Sequence, residues 1–485
     1  MHTQPRPWPA PPFKLGPAPH RYGGAAGLPE VVDVVVIGGG PAGYPAASLL
    51  GRAGLRVALV EEGLLGGECT NYGCIPTKAL YSKLLHALQA GSKPQPLPGL
   101  AEWAWRGPVE SSRRGVGEIL ESAGVWVVRG RAGLAGERLI EVEGGPSLRA
   151  ERAVVVAVGS EPSHPRGLEP DGFLVVDNRG FLEALRRDPQ RILIVGAGAV
   201  GVEYATLLAM AGREVYLVEI MPRILPGIER GVAQSVEGSL RRMGVRVWKR
   251  SRVEGLERLG DRAARVRVAG HGVVEVDLVV VATGRRPATR GIGLEAVKAR
   301  LDDKGYLGVE RPHMRAGPPW LYAAGDAAGP PLLAHKAFHE GIAAAHSILG
   351  IKPPEPGPIP MVVYTHPEAV SVGASLEEAR AQGIEAVEAR VPVGALARVS
   401  IEGGGRGFVK IVYDPATHRI LGFHAHLPGA SELAGYAAYL IARGAKLEEV
   451  ASTIHPHPTL SEALWEAAKA ALGEPVHVLA ASTRR

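Results

Sequence analysis

Two stretches of the chain repeat one pattern of apolar and polar positions. Each begins with a run of consecutive apolar residues, Asp33-Val-Val-Val-Ile37 in the first and Arg191-Ile-Leu-Ile-Val195 in the second. Continuous rather than alternating apolar runs of this length predict strands buried on both faces, as in a parallel sheet. Each run passes into a GxGxxG turn, Gly38–Gly43 and Gly196–Gly201, followed by a stretch with helical composition. Each then reaches a second apolar run closing on an acid, Val57–Glu61 and Val215–Glu219. The interval from first glycine to acid is the same in both copies. A third pair of runs, Val154–Pro162 and Val279–Pro287, extends the repeat and reads as the closing strands.

This is the pattern of a dinucleotide-binding βαβ unit, present twice. Gly38 and Gly196 allow the tight turn, Gly40 and Gly198 let backbone approach a pyrophosphate, and Gly43 and Gly201 let helix and strand pack closely. The helix N-terminus offers unpaired N–H groups and positive potential to the phosphates. Glu61 and Glu219 stand where an acid accepts hydrogen bonds from an adenosine ribose. Two glycine-rich turns in an ordinary α/β protein would not require the matching acids. Two such sites imply two nucleotides and electron transfer between them.

Composition narrows the class. The 485 residues suggest about three domains. Hydrophobic residues at 46% and charged residues at 21% are globular values. No apolar run reaches the roughly 18 residues of a membrane span, so no membrane partner is expected. The formal charge of +6 comes from dispersed basic residues without a dense run, which argues against a nucleic-acid partner. Only two cysteines occur, and the proline-rich segment 1–29 lacks an apolar signal core. A cytoplasmic protein with an extended N-terminal arm is expected.

Those two cysteines lie in Gly66-Gly-Glu-Cys-Thr-Asn-Tyr-Gly-Cys-Ile-Pro-Thr-Lys78, just after the first acid. CxxxxC spacing brings two sulfurs together across about one helical turn. A structural bridge, half a metal site and two buried thiols are the alternatives. A metal is not expected, because there is no further cysteine and the histidines lie far off in sequence. A bridge closing so short a loop would add little stability. Near the C-terminal end stands His455-Pro-His-Pro-Thr-Leu-Ser-Glu462. Thiol–disulfide exchange needs a thiolate, and an imidazole oriented by a carboxylate supplies the base. His457 with Glu462 fits that need. His455 is a second candidate, while His335, His339 and His366 read as ordinary surface or core residues.

The GGxCxNxGCxPxK segment resembles the redox segment of the flavoprotein pyridine-nucleotide disulfide oxidoreductases, and the resemblance spans Val31 to about Leu472. It implies an α/β fold of two Rossmann-like dinucleotide-binding domains plus a C-terminal α+β dimerisation domain. The FAD-binding domain would take residues 30–165 and 286–355, the NAD-binding domain 166–285, and the interface domain 356–485. The resemblance assigns FAD to the first GxGxxG and NAD to the second. It makes Cys69 the interchange thiol and Cys74 the thiol facing the flavin, with Lys78 near the flavin ring and Glu203 pairing with Lys78. It adds FAD contacts at Gly67, Ala132, Ser160, Asp326 and Ala334, and NAD contacts at Val200, Val253 and Gly284. The segments Tyr322–Ala327, Leu333–Ala337 and Met361–Glu368 agree with it.

The His457–Glu462 dyad would act on the disulfide of the partner subunit, making a homodimer obligatory. Glu219 favours NAD, since a carboxylate repels a 2′-phosphate. The absence of any other cysteine excludes relatives that use a second C-terminal cysteine pair. Within the family, the dihydrolipoamide dehydrogenase branch is the best match. The implied substrate is a small or lipoyl-domain-tethered dithiol, from a 2-oxoacid dehydrogenase or glycine-cleavage system. The alternatives are a reductase of a glutathione- or coenzyme A-type disulfide, or a flavin-binding scaffold without turnover. Glu68, Thr70 and Tyr72 stand where relatives usually carry small or apolar residues, and the substrate channel is where they would act.

Overall fold

The computed structural model describes residues 27–93 and 96–478. The proline-rich arm, up to residue 26, and the end of the basic tail lie outside the described residues. The chain divides into two compact units. One comprises Met1–Leu80, Pro96–Asp188 and Gly284–Pro356, and the other Tyr81–Gln95, Pro189–Thr283 and Gly357–Arg485.

In the first unit the strand Val31–Ile37 lies parallel between Val57–Glu61 and Ser147–Val156. Trp126–Arg129 extends the sheet beyond Val57–Glu61, and Leu321–Ala323 pairs in parallel with Ser147–Val156. Val32, Val34, Val35 and Val36 of the central strand are fully buried, as the apolar run requires. Ser160–Pro162 and Arg285–Pro287, the two ends of the repeated closing runs, pair antiparallel with each other.

The second unit repeats the arrangement. Arg191–Val195 lies parallel between Glu214–Glu219 and Leu278–Val281, with Arg246–Lys249 outside Glu214–Glu219. A three-stranded antiparallel sheet, Val253–Arg258, Ala264–Val268 and Gly272–Val276, is inserted before the closing strand. The remainder is a five-stranded antiparallel sheet running from Met361–Val363 to Ile420–Leu427 and out to Val387–Pro392. The helices Ala430–Arg443 and Glu462–Ala471 share its apolar core around Phe423, Leu433 and Leu464.

The α/β fold class read from the sequence is what the structure adopts. The duplication is visible at atomic scale in the glycines. Gly38 has φ of +103° and Gly196 of +100°. A Cβ on Gly43 would lie 1.8 Å from the Gly38 carbonyl oxygen, and one on Gly201 would lie 1.9 Å from that of Gly196. Backbone cannot yield there without moving helix off strand. Gly43→Ala should cost about 3 kcal/mol or more, at the upper end for overpacking. Thermal unfolding and the flavin absorbance of the purified variant check this; an unchanged midpoint with full flavin would contradict it.

Candidate functional site

In the first unit, the Glu61 carboxylate accepts the N–H of Gly39 at 2.7 Å and that of Gly63 at 2.7 Å. The second unit repeats this: Glu219 accepts from Ala197 at 2.6 Å and from Met221 at 2.8 Å. Each acid thus closes the glycine turn from the end of the next strand. An ionised carboxylate has about four acceptor sites, so lone pairs remain for ribose hydroxyls. Burial pushes the Glu61 carboxyl above its ordinary value, against the pull of the two N–H donors. A Cβ on Gly198 would meet nothing within 4 Å, and one on Gly40 would meet only the Gly67 Cα at 3.8 Å. Each turn therefore has room for a pyrophosphate beside its helix N-terminus, and the residues present fit a dinucleotide.

Cys69 sits in the short helix Gly67–Asn71, and Cys74 opens the helix Cys74–Gln89. The two side chains are in hydrogen-bonding contact with each other. The hydrogen bond with Cys74 and burial push the Cys69 thiol up, while the Lys78 ammonium pulls it down. Cys69 is therefore held toward its thiol form, and a base is needed to make it a nucleophile. The segment is held from several sides. The Asn71 side-chain amide donates to the carbonyls of Leu65 and Gly67 at 3.0 and 2.9 Å. Thr77 donates to the Gly73 carbonyl at 2.5 Å. The Glu68 side chain is gripped by Asn178, Arg179 and Arg285. No local signal in the sequence identifies those three partners.

Ser160 donates its hydroxyl proton to Asp326 and accepts from Arg285 Nε at 2.7 Å. Asp326 lies on the 3-10 turn Gly325–Ala328. That turn is fixed by a buried Lys336–Glu340 pair at 2.9 Å, which sequence patterning does not reveal. Lys336 donates to the carbonyls of Gly325 and Gly329, and Glu340 accepts the Gly325 N–H. Ala334 is the first residue of the helix Ala334–Leu349. Ala132 is buried at the start of the strand Ala132–Gly136. Gly284 has φ of +113° and open space where a Cβ would stand.

In the second unit, His457 Nδ1 and Glu462 Oε1 are 2.9 Å apart. The other carboxylate oxygen accepts the Thr459 N–H at 2.8 Å. Glu462 also opens the helix Glu462–Ala471, where the macrodipole favours a negative charge. Burial pushes the Glu462 carboxyl up, but the hydrogen bonds from His457 and Thr459 outweigh it and hold it below its ordinary value. The His457 side chain is 63% exposed, so its ring is accessible for proton transfer. His455 instead has Nδ1 3.0 Å from the Thr453 carbonyl.

Sequence reasoning also missed His477. Glu466 Oε1 accepts the N–H groups of Val476, His477 and Val478, which sets the His477 ring 6.5 Å from that of His457. Glu203 is buried in the helix Ala199–Met210 and accepts the Tyr364 N–H at 3.1 Å. Val200 is 42% exposed beside the second glycine turn, and Val253 begins its strand. Ile220 and Met221, directly after Glu219, are 69% and 49% exposed and offer an apolar surface next to the acid. No group of residues among those described could hold a metal ion, and no described helix is long and apolar enough to cross a membrane.

Residues 32–341 match the pyridine nucleotide-disulphide oxidoreductase family, and residues 359–468 match that family's dimerisation domain. The chain is 39% identical over 462 residues to a dihydrolipoyl dehydrogenase of Thermus scotoductus, covering 93% of this chain and 99% of the relative. It is 36% identical over 468 residues to dihydrolipoyl dehydrogenase 3 of Pseudomonas aeruginosa, covering 90% and 97%. Among solved structures, LpdA of Mycobacterium tuberculosis is 28% identical with a TM-score of 0.82, over 90% of this chain and 99% of that one. The HOCl-induced flavoprotein disulfide reductase RclA of Escherichia coli is 26% identical with the same TM-score and coverage.

Proposed function

Since this chain belongs to the pyridine nucleotide-disulphide oxidoreductase family, we propose that it works as a dihydrolipoyl dehydrogenase, oxidising dihydrolipoamide with NAD as acceptor. The observation that carries the reading is the contact between the Cys69 and Cys74 thiols, directly after a dinucleotide-type acid. Residues 30–165 and 286–355 would bind FAD, 166–285 NAD, and 356–485 would form the interface.

His457 takes the proton of a substrate thiol. The thiolate attacks Cys69 Sγ of the oxidised pair, the Cys69–Cys74 bond breaks, and Cys74 leaves as a thiolate. The second substrate thiol then attacks the mixed disulfide, lipoamide departs, and Cys69 is released. FAD held beside the pair would supply the two-electron redox chemistry that links the dithiol to NAD. Gly38–Gly43, Glu61, Gly67, Ser160, Asp326 and Ala334 would hold FAD, with Lys78 beside its ring and Glu203 as the proposed counter-charge of Lys78. Gly196–Gly201, Glu219 and Val253 would hold NAD.

The dimerisation-domain match supports a homodimer. In our reading the His457–Glu462 dyad serves the disulfide of the partner subunit, so the dimer is the active species. The substrate arm comes from a lipoyl domain of a 2-oxoacid dehydrogenase or glycine-cleavage system. The scarcity of cysteine suits a reducing cytoplasm.

Steady-state rates with lipoamide, glutathione disulfide and coenzyme A disulfide, each with NADH and NADPH, test the assignment. A preference for either of the latter disulfides would replace it with a reductase of that compound. Glu219→Ala should raise KM for NAD about tenfold and narrow the preference over NADP, with kcat little changed, because a ribose acceptor is lost. An unchanged KM would remove Glu219 from the nucleotide site.

A further inference from the structure

Glu68 is one residue from Cys69, and its carboxylate is turned away from solvent into a cluster of cations and amides. Arg179 Nε donates to Oε1. Asn178 Nδ2 donates to Oε2 at 2.7 Å, and Arg285 Nη2 lies 3.1 Å from the same oxygen. The Glu68 side chain is only 27% exposed, and those of Arg179 and Arg285 are 19% and 20% exposed. Such charge-assisted contacts are shielded from salt and water better than a surface pair.

The cluster does not end there. Arg285 also donates to the Ser160 hydroxyl and carbonyl, both at 2.7 Å, and Ser160 donates to Asp326. Asn178 and Arg179 open the helix Asn178–Ala184, whose N-cap Asp177 accepts the Arg179 and Gly180 N–H groups. Asp177 is in turn paired with His164 at 3.2 Å. A continuous polar chain thus runs from the residue before the interchange thiol to Asp326. The helix Gly67–Asn71 is five residues long and too short to be rigid alone.

We propose that Glu68 is a positioning residue for Cys69: its grip on Arg179, Asn178 and Arg285 holds the helical turn that carries the thiol in register while the Cys69–Cys74 bond opens and closes. This rests on Cys69 being the interchange thiol. With its carboxylate held by those three partners, Glu68 acts through the backbone of its neighbour. Holding a reacting atom in place is the kind of contribution that a shift of about 1 Å can erase by roughly a hundredfold.

The test uses the full-length flavoprotein as wild type, Glu68→Ala, Glu68→Gln, Arg179→Ala and the Glu68→Ala/Arg179→Ala double variant. Glu68→Ala should lower kcat with lipoamide by roughly ten- to a hundredfold, with KM within about twofold. Amide hydrogen exchange over residues 66–73 should quicken by about tenfold without a matching fall in the global unfolding midpoint. The double variant should be no worse than the worse single, because the two residues share one interaction. Glu68→Gln, which keeps the shape and loses the charge, should move both readouts in the same direction and serves if the alanine variant does not fold.

Unchanged exchange over 66–73 would overturn the proposal. So would losses in the double variant that multiply, or an exchange increase spread over the whole chain. Iodoacetamide labelling of Cys69 in the dithiothreitol-reduced protein separates this from the functional reading. If lipoamide is not a substrate, the wild type shows no lipoamide turnover, yet a change in Cys69 labelling in Glu68→Ala still reports the clamp.

Discussion

Cys74→Ser should abolish lipoamide-dependent NADH oxidation, by roughly a thousandfold or more, as removal of one member of a concerted catalytic set does elsewhere. The reason is electronic. Serine preserves size and the opening of the helix Cys74–Gln89, but oxygen cannot form the sulfur–sulfur bond that stores the electron pair. Cys69 alone could still form a mixed disulfide with substrate, which would then have no internal partner to resolve it. Thermal stability should hardly change, since a Cys69–Cys74 bridge closes so short a loop that losing it removes little stability. Oxidation of NADH by a one-electron acceptor that bypasses the disulfide should survive. Measured together, these rates isolate the cysteine pair from the nucleotide sites. Lipoamide turnover at the wild-type level in this variant would overturn the mechanism.

His457→Gln should lower the same rate by roughly a hundred- to ten-thousandfold, the usual range for a general acid–base group. The thiol contact and burial push the Cys69 thiol above its ordinary value, so little thiolate forms without a base. The acid-side fall in rate expected of an imidazole base should disappear in the variant. Glu462→Gln should cost less, because it leaves the ring in place but loosens its tautomer. The Glu462 carboxyl is held below its ordinary value in the folded protein. Its stabilising contribution is therefore fully present above the unfolded-state value and is lost only as pH falls through the depressed folded value. At neutral pH the His457–Glu462 hydrogen bond is intact, and Glu462 does not set the acid limb. A pH–rate profile of kcat/KM for the wild type and both variants checks this; an acid limb retained in His457→Gln would assign the proton transfer to another group.

Much of the site was legible because its chemistry is local in sequence. A GxGxxG turn followed by an apolar run and an acid is one βαβ unit, and its geometry follows from steric limits on glycine and from strand length. CxxxxC needs one helical turn, and HPTxxE needs only a turn running into a helix N-terminus. Each motif states its own physical requirement, and its second copy or its neighbours supply the check. What the sequence could not convey was the set of contacts that holds those motifs. Asn178 and Arg179 lie 110 and 111 positions from Glu68, and Asp326 lies 166 from Ser160. The Lys336–Glu340 pair is four residues apart, yet its role in fixing the Asp326 turn depends on where that turn folds back.

By itself, then, the chain determined two nucleotide cradles, a dithiol and a His–carboxylate base, since each follows from residue types at short spacing. Only the tertiary structure decided that Glu61 and Glu219 close the glycine turns they face. It also decided that Glu68, beside Cys69, is held between two arginines from distant parts of the chain. Long-range hydrogen bonds depend on which loops the parallel sheet's crossovers bring to one edge, and no periodicity along a single chain encodes that meeting.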